Sequence, residues 1–148
     1  MMKLDESQSG HTTPATQRSL VHVLRRRVED SADKPWLIFP DCVLTYREAD
    51  ALSNRFANGM RKKGIRRGET LLVMLPDGPD LVMSWLACAK LGVIEVPVNT
   101  AYRGDILAHI VRDSRARTML VSSAHVEWLK ELGGALGNIE RCFVRAQE

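Results

Sequence analysis

The sequence lacks a long apolar segment, and its first residues do not predict a secretory signal. Its longest apolar stretches, residues 81–89 and 118–126, fall far short of the ~20 residues that a membrane-spanning helix needs. The polar residues at the start contain no apolar core of the kind found in signal peptides. We therefore expect a cytoplasmic protein with no membrane span.

Paired cysteines and a strong excess of one charge are also absent. The three cysteines, Cys42, Cys88 and Cys142, are far apart and match no zinc or redox spacing, so reduced thiols are expected. The net charge of +3 is too small to indicate a nucleic-acid partner.

What is present is typical of a folded chain. With 45% hydrophobic and 26% charged residues in 148, the sequence can form one domain with a substantial core. The small polar residues 1–17 predict a disordered tail, and residues 18–148 the folded part.

The first half predicts two helices around a β-hairpin. Apolar residues recur at helical spacing over 19–29, and two short apolar runs, 35–40 and 43–46, form the predicted hairpin. Thr45 and Glu48 match the capping-box pattern. The helix that they begin should end at Gly64.

The second half alternates between strands and helices. Strands are expected near 71–75, 93–98, 118–121 and 141–144, with helices between them. This pattern predicts an α/β fold with right-handed βαβ units and a parallel sheet. Pro97 should lie at a strand end or on an edge strand. The helix after Gly78 should bury Leu81, Val82, Trp85, Leu86 and Ala89.

Recognisable catalytic patterns are missing. The sequence has no phosphate-binding glycine motif, no nucleophile elbow and no histidine pair with metal-ligand spacing. The turn at 75–79 follows a strand, but Pro79 removes an amide donor, which favours a plain tight turn. We expect His109 to be half-buried and Cys88 to be an inert buried thiol.

A run of cations at 61–67 (RKKGIRR) admits two interpretations. It could complement the carbonyl end of a helix, with the remainder solvated. Alternatively, it could contact phosphate or an anionic surface, although no aromatic stacking residues are interleaved with it.

Two segments resemble the adenylate-forming superfamily of acyl-CoA ligases, adenylation domains and luciferases. VLTYREA at 43–49 is similar to its LTY-x-E-L motif, and residues 85–123 resemble its A-x-x-K-x-G stretch, which continues through P-x-N and D-S-x-A. The residues assigned to the family motifs are Thr45, Tyr46, Glu48, Lys90, Gly92, Pro97, Asn99, Tyr102, Asp113 and Ser114, and Ala116 also falls in register. The resemblance implies scaffold roles for them. The loop at 99–105 resembles the crotonobetaine/carnitine-CoA ligase and fatty-acid-transport branches, whereas Glu95 and Arg115 depart from the family pattern.

The resemblance also implies the reaction of the complete enzyme. ATP and a carboxylic acid give an acyl-adenylate, and coenzyme A then accepts the acyl group, with Mg as a further cofactor. The family's phosphate loop, ribose-binding aspartate and C-terminal lysine do not occur in residues 1–148. The expectation is therefore an amino-terminal part of the large domain, with no catalytic, cofactor-binding or metal-binding residue of its own and inactive alone.

Two other functions remain open. The chain could be a non-catalytic module that pairs, through an open sheet edge, with the rest of a split ligase or with itself. It could also be an anion-binding module that uses the cations at 61–67.

Overall fold

A computed structural model describes residues 19–136 and 138–146. Helix α1 (Leu20–Ser31) begins where the Ser19 hydroxyl accepts a hydrogen bond from the His22 amide at 3.2 Å. Strands β1 (Pro35–Ile38) and β2 (Val43–Thr45) form the predicted antiparallel hairpin. The predicted tail at 1–17 lies outside the described residues.

Helix α2 (Tyr46–Lys62) starts with the predicted capping box. The Glu48 amide donates to Thr45 Oγ1 at 3.2 Å, and the Thr45 amide donates to the Glu48 carboxylate at 2.8 Å. Gly64 follows the helix with a φ of +86°, which glycine adopts without steric cost.

The second half of the chain contains a four-stranded parallel sheet, as predicted. Its strands are β3 (Thr70–Met74), β4 (Ile94–Pro97), β5 (Thr118–Ser122) and β6 (Arg141–Arg145). Their spatial order is β4-β3-β5-β6, so β4 is an edge strand and accommodates Pro97. The helices between the strands are α3 (Pro79–Leu91), α4 (Gly104–Ser114) and α5 (Val126–Glu131). Short 3₁₀ turns occupy Ser123–His125 and Gly133–Leu136.

The core has two layers and a satellite cluster. Leu71 and Val73 pack under α2 and α3, while Leu72 and Met74 face α4 and α5 on the other side of the sheet. Leu24 of α1 joins residues of α2, α3 and the hairpin in the third cluster. Among the described helices, none is both long enough and apolar enough to cross a membrane.

Two burial predictions are wrong. Trp85 is 52% exposed, because α3 is covered by the sheet on one side and by α1 and α2 on another, and Trp85 lies on the remaining strip. The buried residues of α3 are Met83, Ser84, Leu86, Ala87 and Cys88. His109 is exposed, because α4 buries only the face that carries Leu107, Ala108 and Val111.

Candidate functional site

The carboxyl ends of the parallel strands form the edge at which α/β proteins bind ligands. A cleft of about 590 Å³ lies there beside the turn at 75–79, with Asp41, Asp77, Asp80 and Ser122 in its lining. A second cleft of about 240 Å³ shares Asp77 and extends towards Pro97, Asn99 and Thr100. This edge is the candidate site.

The charged side chains that line the larger cleft are mainly carboxylates. Three carboxylates line the larger cleft and repel phosphate. Pro79 at the start of α3 removes one amide donor. Arg145 Nε donates to Asp80 at 2.6 Å, which partly neutralises this cation. Among the described residues, no group of three or more His, Cys, Asp or Glu side chains is placed to hold a metal ion.

The loop after β4 is ordered by its own side chains. Asn99 Oδ1 accepts a hydrogen bond from the Ala101 amide at 2.8 Å. Arg103 donates to the carbonyl oxygens of Thr100 and Tyr102, at 2.6 and 2.7 Å. Asn99 and Arg103 therefore fix the path of the loop at the carboxyl edge, and Tyr102 is partly exposed on it.

An arginine–tryptophan–histidine stack joins this loop to α5. The Arg103 guanidinium lies over the Trp128 ring, and His125 meets the same ring edge-on at 4.3 Å between centroids. His125 is buried, and its Nδ1 has no hydrogen-bond partner among the described residues. Burial and the neighbouring Arg103 charge lower the His125 pKa below its usual 6.5. This stack could not be predicted from the sequence, because Arg103 belongs to the loop after β4 whereas His125 and Trp128 follow β5.

Lys90 connects α3 to α2. Its ammonium lies within 3.0 Å of four oxygens: the Asp50 carbonyl and carboxylate, Ser53 Oγ and Asn54 Oδ1. Ser53 Oγ in turn donates to the Ala49 carbonyl at 2.7 Å. Only 11% of the Lys90 side chain is exposed. This network gives Lys90 a structural role away from the carboxyl edge.

Glu95 is directed into the layer between β4 and α3. Ser84 Oγ donates to its carboxylate at 3.3 Å, and the Cys88 thiol is a second hydrogen-bond partner. Burial raises the Glu95 pKa. Burial and the nearby Glu95 carboxylate raise the pKa of Cys88 far above its ordinary value, so this thiol is inert.

The other residues of the resemblance are dispersed. Gly92 ends α3 with a φ of +69°. Ser114 Oγ donates to the Val111 carbonyl at 2.8 Å and accepts from the Ala116 amide at 3.2 Å, at the end of α4. Tyr46 stacks on Trp36, with ring centroids 5.0 Å apart. Asp113 is exposed. Of the residues of the resemblance, Pro97 and Asn99 line the smaller cleft at the carboxyl edge, and Tyr102 follows them in the same loop.

Comparison with known proteins identifies the class. A model of the family described as AMP-binding enzyme matches residues 24–145. The chain belongs to this family, which confirms the resemblance seen in its motifs.

Individual relatives agree with this assignment. The chain is 32% identical over 126 residues to a medium/long-chain-fatty-acid–CoA ligase, FadD6, of Mycobacterium tuberculosis, covering 85% of this chain and 21% of that protein. It is 28% identical to a 3-hydroxybenzoate–CoA ligase of Aromatoleum, covering 77% and 22%. The structure of a long-chain-fatty-acid–CoA ligase, FadD1, from Archaeoglobus fulgidus superposes with a TM-score of 0.77 at 30% identity, covering 86% and 27%. The chain therefore spans only a fifth to a quarter of the length of these relatives.

Proposed function

We propose that this chain supplies the amino-terminal scaffold of an ATP-dependent, AMP-forming acid–thiol ligase. The complete enzyme would convert a carboxylic acid to an acyl-adenylate and then to an acyl-CoA, using ATP, Mg and coenzyme A. The proposed location is the cytoplasm, where the three cysteines, free in the structure, stay reduced.

The observation that carries this proposal is the family match over 24–145, together with the matching fold. The ten residues of the resemblance support a scaffold role, because most of them act within the fold. Thr45 and Glu48 cap α2, Lys90 joins α3 to α2, and Gly92 ends α3.

Two other observations support the proposal that the isolated chain is inactive. The carboxyl edge carries Asp41, Asp77 and Asp80 where a triphosphate needs donors. The phosphate loop implied by the resemblance has no counterpart in residues 1–148. Neutralising the charge of a transferring phosphate group needs preorganised donors or cations.

Pyrophosphate release tests this proposal. The purified chain is incubated with ATP, Mg and coenzyme A and a panel of fatty, aromatic and carnitine-like acids. We expect no release above a blank without protein. A carboxylate-dependent signal would overturn the inactivity, and a complete relative serves as the positive control.

The DNA that follows the codon for Glu148 tests the assignment to a longer ligase. A continuing frame with a Ser/Thr/Gly-rich loop that ends in Pro-Lys-Gly would support it. A stop codon followed by unrelated sequence would count against it.

A second function, pairing with the remainder of a split ligase, is favoured by an apolar groove. This groove of about 600 Å³ lies between α2 and β6 and is lined in part by Phe56, Met60, Leu120 and Phe143. Because the relatives are four to five times longer than the aligned part, a further polypeptide segment is the proposed occupant. Co-expression with the remaining part of a relative, followed by affinity capture, should recover a complex. Sedimentation that shows only a dimer of this chain would indicate self-pairing instead.

A further inference from the structure

The amino ends of the four parallel strands form a second edge, opposite the candidate site. We define the amino-edge surface as residues 61–69, 112–117 and 140–141. It holds the end of α2 and the loop before β3, the end of α4 and the loop before β5, and the start of β6.

Direct contacts join these segments into one surface. Arg141 donates to the Lys63 carbonyl at 3.3 Å and to the Glu69 carboxylate at 3.2 Å. The Glu140 amide donates to the Arg117 carbonyl at 2.9 Å. The Arg67 side chain lies against Gly92, which leads into β4. The topology therefore brings together cations that are up to 80 positions apart in the sequence.

This surface is strongly cationic. It holds nine cations and three carboxylates, an excess of six charges in a protein of net charge +3. Two of the carboxylates already pair with arginines, Glu69 with Arg141 and Glu140 with Arg117. Within the described part of the chain, seven of its cations form no ion pair; they are Arg61, Lys62, Lys63, Arg66, Arg67, Arg112 and Arg115, and all are exposed.

Helix ends explain only part of this charge. Arg61 and Lys62 lie in the last turn of α2, and Arg112 lies in that of α4, where cations complement the helix dipole. Arg66 and Arg67 belong to no helix. Arg115 has a φ of +51°, a left-handed conformation that favours glycine at a helix end. An arginine is thus held at a strained position, where it adds to the cationic surface.

We infer that the amino-edge surface docks the chain onto an anionic lipid bilayer. Guanidinium and ammonium groups bind phosphate headgroups, and each basic residue near such a surface adds to the attraction. Ile94, 57% exposed, lies at the amino end of β4 next to this surface and can enter the interfacial region. Single-stranded nucleic acid is the weaker partner, because residues 61–69, 112–117 and 140–141 include no aromatic side chain for base stacking. Asp41, Asp77 and Asp80 at the opposite edge would orient the molecule with its carboxyl edge away from the membrane.

Vesicle co-sedimentation of the full chain tests this inference. Vesicles of phosphatidylcholine alone are compared with vesicles that contain about 30% phosphatidylserine, at about 0.1 M and 0.5 M salt. We expect binding only to the anionic vesicles, with loss at high salt. Equal binding to both vesicle types, or binding that ignores salt, would overturn the inference. So would tighter binding to duplex DNA or single-stranded RNA than to the anionic vesicles.

Two triple variants test whether vesicle binding depends on the amino-edge surface or on the net charge of the protein. Lys62→Gln, Lys63→Gln and Arg66→Gln remove three charges from the amino-edge surface, whereas Arg25→Gln, Arg26→Gln and Arg27→Gln remove three exposed charges from α1. Both variants have the same net charge of zero, since three are removed from +3. We expect the first to lose at least about tenfold in vesicle affinity and the second to lose little. Equal losses would refute the inference.

Arg115→Gly distinguishes a role of Arg115 in membrane binding from a role in stability. Glycine relieves the left-handed strain, so Tm should rise by a few degrees, while vesicle affinity should fall by about threefold to fivefold. A rise in Tm with unchanged vesicle binding would contradict the inference.

Discussion

Glu95 is a half-buried carboxylate on an edge strand. Its neighbour across the sheet is Leu71, and its side chain lies with Ser84 and Cys88 under α3. A charge that points inward from an edge strand disfavours pairing with another sheet, at the expense of stability.

Glu95→Gln should stabilise the protein at neutral pH. Because the folded pKa is raised, the folded state binds the Glu95 proton more tightly than the unfolded state. This contribution to stability is present below about 4.5 and is lost as pH rises through the folded pKa. The variant should raise Tm by about 3 °C at pH 7.5, about 1 kcal/mol, and by less near pH 4.5. Glu29→Gln, on the exposed face of α1, is the matched control and should leave Tm unchanged in thermal unfolding.

The interface between α2 and α3 depends on Lys90. Its charge is largely buried and is compensated by Asp50 together with Ser53 and Asn54. Replacing one member of such a network leaves the partner charge uncompensated.

Lys90→Met should lower the free energy of unfolding by about 2–3 kcal/mol. Methionine keeps the length of the side chain but leaves the Asp50 carboxylate without its cation. Denaturant unfolding would measure the loss, and Asp50→Asn combined with Lys90→Met should restore part of it. Lys130→Met removes an exposed pair with Glu127 and should change stability by less than about 0.5 kcal/mol. Losses of equal size would show that burial of the pair is unimportant.

The elements were largely predictable because their signals are local. Thr45 and Glu48, which form the capping box of α2, are three residues apart. The helix end at Gly92 depends on the φ of that residue alone, and Pro97 by itself limits β4 to an edge position. The exposure of Trp85 was not predictable, because it depends on how α1 and α2 cover α3. The stack of Arg103 on Trp128 and the grouping of Arg141 with Lys63 depend on strand order, which hydrophobic periodicity does not determine. At the candidate site, the turn after β3 could be located from sequence, but its neighbours Asp41 and Arg145 could not.

At the scale of the whole molecule, His125 should make global stability depend on pH. Its folded pKa is lowered, so the unfolded state binds its proton more tightly. The contribution is therefore fully present above 6.5 and is lost as pH falls below that value towards the folded pKa. The His125 contribution to the free energy of unfolding should decrease as pH falls from 7.5 to about 5.5.

His125→Gln should flatten this pH dependence, even if the variant is less stable throughout. Urea unfolding at a series of pH values measures the slope. His109→Gln, at an exposed position of α4, should retain the slope of the unaltered protein. An unchanged slope in His125→Gln would assign the pH dependence to other groups.

The strand order determines how the sheet can assemble while the chain is being synthesised. β3 is the first of the four parallel strands to be synthesised and lies inside the sheet. β4 then adds on one side of it, β5 on the other, and β6 beside β5. None of these four strands has to insert between two that are already paired, so this part of the sheet can grow outward as translation proceeds.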